Sequence, residues 1–353
     1  MNDKVNASAV SDTLPRADTS SVSNKLGATE GVSSPKVQFV TVTENNETQR
    51  IDNFLLLILK GVPKSKIYRI IRKGEVRVNK GRVKPEYKLV AGDVVRVPPV
   101  TVRTESSPVK PSDKITTLLE NSIIFENKEL LVINKPSGLA VHGGSGINLG
   151  VIEAFRAIRP DEKFLELVHR LDRDTSGCLL IAKKRPMLKY LHQCLREDGM
   201  KKIYHTVVVG KWPSHVREVN APLLKNELKS GERVVTVTQE GKPSLTKFRL
   251  IERYKGFTLV EASPITGRTH QIRVHATFAG YPILGDEKYG IDDINKDMKR
   301  LGAKRLMLHA AELAVKLPSE RKVTVFKAPY ESSFAKVVDG LSLAGGQFKG
   351  GEK

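Results

Sequence analysis

Residues 164–182 read FLELVHRLDRDTSGCLLIA, so a dense polar run, His169-Arg170-Leu171-Asp172-Arg173-Asp174-Thr175-Ser176-Gly177, stands between two apolar stretches. The apolar flanks are short and rich in Leu, Val and Ile, as buried strands are. The run between them carries both charge signs, two hydroxyls and a glycine. Working outward, Leu130–Asn134 is another apolar strand, and Pro136-Ser137-Gly138 turns the chain. Lys202–Gly210 predicts a strand with Tyr204 near its start, and Phe257–Ala262 alternates before the turn at Thr266-Gly267. From Thr269 a helix is expected to Ala279, capped by Thr269 and stopped by Gly280. It would carry His270, Arg273 and Thr277 on one side. Strands and helices do not alternate regularly, so the expected class is α+β with a mixed, largely antiparallel sheet.

Towards the N-terminus a small α/β module occupies 46–98. Ile51, Phe54, Leu55 and Ile58 recur at helical spacing and Gly61-Val62-Pro63 closes that helix. Ser65 is the expected cap of a second helix with Ile67, Ile70 and Ile71 on its apolar face, ended by Gly74. Val76-Arg77-Val78 and Val94–Val97 predict strands, with a turn at Asn79-Lys80-Gly81. Residues 1–37 are poor in large apolar side chains, so a disordered tail is expected over 1–45, and another over 339–353. A Pro-containing linker is expected over 99–117, and the larger module over 118–338.

The chain of 353 residues is long enough for about two domains and carries a net charge of +20. So large a surplus implies a polyanionic partner, because Lys and Arg release counterions from phosphates. Residues 50–98 alone hold 13 Lys/Arg against 4 Asp/Glu. Arg50, Lys64, Lys66, Arg69, Arg72, Lys73, Arg77 and Lys80, with Arg82 and Lys84, spread over helix, strand and turn. One basic helix face is ordinarily just solvated; this spread favours an RNA-backbone patch. No apolar run approaches the roughly 18 residues of a membrane span, and the N-terminus lacks the apolar core of a signal peptide. Cys178 and Cys194 form no CxxC pair, and His270 and His275 have the wrong interval for HExxH, so no metal is expected. The same features fit a reducing cytoplasm, so a cytoplasmic location is expected.

By composition, the 169–177 run reads first as a salt-bridged surface turn and second as a carboxylate on a rigid loop kept ionised by cationic neighbours. The run GRTHQIRVH at 267–275 reads as a capped, solvated helix or as a second polar constellation. Val141-His142-Gly143-Gly144-Ser145-Gly146 could cradle a phosphate but fits neither GxGxxG nor the P-loop.

Gln49–Leu55, Ser65-Lys66-Ile67 and Gly74–Asn79 resemble an S4 RNA-binding domain in order and length. Lys135-Pro136-Ser137-Gly138, HRLD with Thr175-Ser176-Gly177, Lys202-Ile203-Tyr204, Gly241-Lys242-Pro243 and Gly267–His275 stand in the order of the large-subunit-type pseudouridine synthases. Gly285-Asp286, Tyr289-Gly290 and Leu308-His309-Ala310 continue the resemblance, which covers about 120–330. It implies a pseudouridine synthase fold and isomerisation of uridines in 23S rRNA or an assembly intermediate of the large subunit, by an enzyme working as a monomer. That reaction breaks the N1–C1′ bond, rotates the base and rejoins it through C5, with no net redox change. No cofactor is therefore required.

The resemblance further implies that Asp172 is the nucleophile or base, and that Asp174 stands in a variable pair of the motif. Arg273 would pair with Asp172, its planar fork suiting bidentate contact. Arg268 and His270 would position RNA or the loop. Tyr204 would stack on the uracil and assist removal of the C5 proton. Arg170, beside His169, would fill the gap left by the flipped uridine, Thr175 would shape the loop, and Leu308 would floor the base. Alternatives are a non-catalytic rRNA-binding or assembly protein, a synthase acting on tRNA, and a glycosidase, which would need a second carboxylate across the bond. DNA is disfavoured by the S4 resemblance.

Overall fold

The computed structural model describes residues 36–59, 61–100, 110–144, 149–227, 233–300 and 302–343, so most of both expected tails lies outside the described residues. The small module runs β1 (Gln38–Thr41), α1 (Ile51–Ile58), α2 (Lys64–Arg72), β2 (Arg77–Val78), β3 (Gly81–Arg82) and β4 (Val94–Val97). Its four strands form an antiparallel sheet in the order β1-β4-β2-β3. Ile51, Phe54 and Leu55 of α1 and Ile67, Ile70 and Ile71 of α2 bury against Val76, Val78, Val95 and Val97. The helical spacing of one set and the alternation of the other make one core.

Three expectations about boundaries change. Gln38–Thr41 belongs to the fold and not to the tail, because its backbone pairs with β4 while Val40 and Val42 pack on the core. The helix α2 starts at Lys64 behind Pro63, whose carbonyl accepts the Lys66 and Ile67 amides; the Ser65 side chain caps nothing among the described residues. Proline's fixed φ pre-sets the chain for the first turn, the part expected of Ser65. The expected linker ends early, since α3 (Asp113–Glu120) is capped by Ser112, whose Oγ accepts the Ile115 amide, and buries Leu119. The stretch 101–109 lies outside the described residues.

The larger module continues with β5 (Ile123–Glu126), β6 (Leu130–Lys135), α4 (Val151–Ile158), β7 (Glu166–Leu167), β8 (Ser176–Ala182), α5 (Arg185–Arg196) and β9 (Met200–Val209). Then follow β10 (Glu218–Asn220), β11 (Leu223–Glu227), β12 (Arg233–Val237), β13 (Leu245–Tyr254) and β14 (Phe257–Pro264). After these come α6 (Gln271–Phe278), α7 (Asp292–Arg300), β15 (Leu308–Lys316), β16 (Val323–Lys327) and α8 (Ser332–Leu343). The helix α8 buries Val337 and Leu341, so it runs into the tail expected from 339. Among the described residues ten strands make one sheet in the order β10-β13-β14-β9-β15-β8-β6-β5, with β16 on β15 and β7 on β8; β11 and β12 pair separately. The class is α+β with a mixed, mostly antiparallel sheet.

Strands β6 and β8 are covered on both faces. Leu130, Val132, Cys178 and Leu180 face the cluster under α5, while Leu131, Ile133, Leu179 and Ile181 face the one under α3 and α4. Burial on both faces is why these strands read as unbroken apolar runs. Among the described residues one pair in the sheet is parallel: Ser176 and Gly177 of β8 against His309 and Ala310 of β15. Gly177 has φ 111, and a Cβ there would overlap the Ala310 carbonyl oxygen and stand 2.6 Å from the Ala310 amide nitrogen. Only glycine lets the backbones come that close. The two halves of the sheet meet at this seam, immediately after the polar loop. No helix among the described residues is long and apolar enough to cross a membrane.

Candidate active site

The polar loop spans from β7 to the seam and is held from below. Lys135, wholly buried at the end of β6, donates from Nζ to the carbonyls of Pro136 (2.7 Å), Leu139 (2.8 Å) and Arg173 (2.9 Å). Burial, with repulsion from Arg305, pushes its pKa down to about 7, while the negative charges of Asp174, Glu331 and Asp172 oppose that by favouring the ammonium. The Thr175 amide donates to the Asp172 carbonyl at 3.2 Å, and the Ser137 hydroxyl donates to the Asp174 carbonyl at 2.8 Å. Ser176 Oγ meets His309 Nδ1 at 2.8 Å and accepts from Arg305 at 2.7 Å. The loop is thus tied to both halves of the sheet, which is the rigidity a positioned carboxylate needs.

Asp172 points outward from this loop, about a third exposed, with Arg273 Nη1 at 3.4 Å and His270 Nε2 at 3.9 Å from its Oδ2. The expected bidentate fork is elsewhere. Arg273 Nε and Nη2 donate to the two oxygens of Asp286 at 2.7 and 2.8 Å, leaving Nη1 for Asp172. The turn after Gly285 places the Asp286 carboxylate, fully buried, beneath α6, where it also accepts the Lys288 and Tyr289 amides. Burial works against the Arg273 charge, but the Asp286 hydrogen bonds and then Asp172 outweigh it, so the guanidinium is held charged. Asp286 likewise stays below the usual carboxylate range: burial raises it, and the Arg273 bonds more than reverse that.

His270 departs from its expected place. The helix begins at Gln271, not Thr269, because His270 is left-handed (φ 52) and serves as the N-cap residue. Its Nδ1 meets the Tyr289 hydroxyl at 2.8 Å, and that hydroxyl also accepts the Val235 amide. The Tyr289 ring lies under the Arg273 guanidinium, 5.1 Å from centroid to Cζ. Asp286 and Tyr289, to which the sequence assigns no role, therefore set the orientation of the Arg273 guanidinium and the His270 imidazole beside Asp172. Both stood in quoted motifs; what was missing was a reason to bring them against 270–273.

Two depressions flank Asp172. One, of about 610 Å³, is lined by Tyr204, Ile272 and Leu308 together with Asp172, Arg170 and Arg273, among others. The other, of about 1490 Å³, runs past Ser137, His142, Lys304 and Arg305. Tyr204 is partly buried between two core clusters, and burial, reinforced by Asp172, pushes its phenol above the usual tyrosine range. The hydroxyl is therefore protonated at neutral pH. Leu308, at the start of β15, is 4% exposed. Arg170 is exposed and borders both depressions.

The remaining candidates make other contacts. His169 is anchored in the fold: its Nε2 accepts the Leu180 amide at 3.2 Å, and burial, with Lys202, pushes its pKa down to about 4. Thr175 is buried. Arg268 is exposed, with Nε reaching the Pro243 carbonyl at 3.4 Å. Asp174 pairs with the exposed Arg173. The Gly143 amide that might have met a phosphate is taken by Glu153 at 2.9 Å, and 145–148 lie outside the described residues. In the small module, Lys64, Arg69, Arg72, Lys73, Arg77 and Lys80 are exposed and Lys66 half-buried. Arg50, also exposed, is already paired with Asp52 at 2.7 Å.

Comparison with known proteins shows the family. The model of the RNA pseudouridylate synthase family matches residues 129–277, and that of the S4 domain matches 49–95. The ribosomal large subunit pseudouridine synthase C of Haemophilus influenzae is 55% identical over 313 residues, which cover 88% of this chain and 97% of that protein. The Escherichia coli protein of the same name is 55% identical over 313 residues, 88% of this chain and 98% of its own. Among solved structures, the human RNA pseudouridylate synthase domain containing 4 superposes with a TM-score of 0.54 at 26% identity, over 65% of this chain and 96% of that one.

Proposed function

Because the chain belongs to the RNA pseudouridine synthase family and carries an S4 domain, we propose that it isomerises specific uridines of 23S ribosomal RNA, in the cytoplasm and as a monomer, with Asp172 as the reacting carboxylate. The observation that carries the reading is the position of Asp172. It sits on a loop clamped to both halves of the sheet and lines one pocket with Tyr204 and Leu308, with the remaining Arg273 nitrogen 3.4 Å away. The names of the curated relatives supply the substrate class.

The flipped uridine enters the 610 Å³ pocket, its base against the Tyr204 ring and the Leu308 side chain. Extraction from the stack costs a few kcal/mol, and the exposed Arg170 guanidinium takes the vacated place. Asp172 then acts on the sugar or base, either attacking carbon or abstracting a proton as the uracil anion departs. Arg273 keeps it ionised with the single nitrogen that Asp286 leaves to it. The Tyr204 hydroxyl, protonated before substrate arrives, relays the C5 proton once the base has rejoined. His270 holds the loop side of the site, and Arg268 meets the RNA backbone. His169 and Thr175 act by shaping the loop. The basic residues of the S4 domain bind structured RNA and set which uridine reaches the pocket.

Replacement of Asp172 by Asn tests the reading. Tritium release from ribosomal RNA carrying uridine labelled at C5 is expected to vanish while RNA binding persists; normal release would sink it. A non-catalytic assembly role is disfavoured because Asp172, Tyr204 and Arg273 converge on one pocket. Pseudouridine mapping in transfer RNA from cells lacking the protein separates the tRNA alternative.

A further inference from the structure

The register of the small sheet sets four side chains in a row on the face turned away from its helices. Phe39 pairs with Arg96, Arg96 with Arg77, and Arg77 with Arg82. Paired residues in antiparallel strands share a face. The alternate residues Val40, Val78 and Val95 face the core, so this row faces outward. Phe39 is 68% exposed. Arg77 and Arg82 are exposed and Arg96 half-buried.

The three guanidiniums are oriented by the turn between α2 and β2. Arg77 Nε donates to the Gly74 carbonyl at 3.3 Å, and Arg96 Nη1 to the Glu75 carbonyl at 2.6 Å. The Arg82 side chain lies against Gly74, where its Nε would be 2.6 Å from an added Cβ. All three are bound by neutral carbonyls and backbone packing, and none makes an ion pair among the described residues. Asp93, at the foot of β4, is already occupied by Asn79, Tyr87 and the Val90 amide. The charge of the trio is therefore uncompensated and its geometry is set in advance. Phe39 lies on β1, outside the 49–95 stretch matched as an S4 domain.

From this juxtaposition we infer that the outer face of the β1-β4-β2-β3 sheet is a binding platform for an unpaired RNA nucleotide, whose base stacks on Phe39 while the adjoining phosphates meet Arg96, Arg77 and Arg82. The proposal rests on the RNA-binding reading above and deepens it. An exposed ring beside a row of unneutralised cations matches an unpaired base followed by phosphates, because every base offers a π face and every linkage a negative charge. A duplex keeps its bases stacked inside and can offer only its backbone. The platform would read single-stranded RNA flanking the structured element that the helical side of the domain meets.

The test uses the full chain. The single tryptophan, Trp212, is 1% exposed, so Phe39→Trp adds a solvent-facing reporter against a buried background. A single-stranded oligoribonucleotide is expected to quench the emission of the Phe39→Trp variant, and a blunt duplex of the same sequence is not. Phe39→Ala is expected to weaken single-strand binding roughly tenfold, within the range for one base on an aromatic platform, without changing its salt dependence. The double variant Arg77→Gln, Arg82→Gln is expected to make the slope of log affinity against log salt shallower by about 1.4, from about 0.7 per phosphate contact. Equal affinity of Phe39→Ala and wild type, or equal quenching by the duplex, would overturn the proposal. So would a blue-shifted emission from the Phe39→Trp variant that RNA leaves unchanged, which would put the chain's own residues 1–35 on this face. These measurements read binding and not chemistry. Their failure leaves the role of Asp172 standing, and a fully active Asp172→Asn variant would leave the platform untouched.

Discussion

Replacing Asp286 by Asn is expected to damage both the stability and the chemistry of the enzyme, although Asp286 does not reach the pocket that holds Tyr204. Its carboxylate is fully buried, and the Arg273 partner is 12% exposed. With hydrogen bonds of 2.7 and 2.8 Å, the charge centres stand about 4 Å apart. At an effective dielectric constant near 20 that is an attraction of about 4 kcal/mol. Removing one member of such a pair leaves the other buried and uncompensated, a loss of about 3–5 kcal/mol. Asn keeps one acceptor, so the low end, about 3 kcal/mol, is expected. For a domain of this size that is roughly 6–12 °C in the unfolding midpoint, at about 2–4 °C per kcal/mol. The sign with pH follows from the direction of the shift. The folded-state pKa of Asp286 is depressed, so its stabilisation is fully present above the unfolded value and is lost as pH falls through the lower, folded one. The gap between wild type and Asp286→Asn should therefore be widest near neutrality and narrow in acid. Thermal unfolding at about pH 7 and about pH 3, with tritium release alongside, checks all of this. The guanidinium, no longer forked, should misplace Nη1 and lower the rate by about tenfold or more. A variant that melts within about 1 °C of wild type near neutrality would refute the reasoning about the pair.

Gly177→Ala should prevent the two halves of the sheet from closing, because φ 111 and a Cβ overlapping the Ala310 oxygen leave no relaxed arrangement. A loss above about 3 kcal/mol is expected, and an unchanged melting curve would contradict it. Lys135→Met leaves three loop carbonyls without their common donor. Stability should fall by about 3 kcal/mol or more, and catalysis should fall further than RNA affinity; equal losses of both would argue against a loop clamp. Tyr204→Phe keeps the ring, so RNA affinity should hold while tritium release slows by about a hundredfold, as for loss of a positioned acid–base group. Full activity of that variant would remove the hydroxyl from the mechanism.

Most of the fold was legible because its signals are local. The apolar runs 130–134 and 178–182 read as strands since both their faces are buried, and the helix after Thr269 departs from expectation only at its first turn. That error has a physical source: His270 takes a left-handed backbone to reach Tyr289 and Asp172, a tertiary demand that overrides the capping preference of Thr269. Gln38–Thr41 carries no such local signal, for a related reason. A strand of 4 residues has no pattern of its own and exists because β4 offers it an edge. The linker and C-terminal boundaries slipped where a helix, α3 or α8, extends into sequence of weak composition.

Residue order alone was enough to place Asp172 in a charged loop between buried strands, to set a basic module ahead of it, and to show the resemblance to one family of RNA-modifying enzymes. What surrounds the carboxylate was settled by the folded chain. Arg273 and Asp172 are 101 residues apart, and nothing in either neighbourhood says that the guanidinium spends two of its nitrogens on Asp286. Pairing between distant side chains depends on how the sheet closes at Gly177 and where the turn after Gly285 lands. Those are properties of the closed chain, set by backbone approach, which residue types along a line do not record.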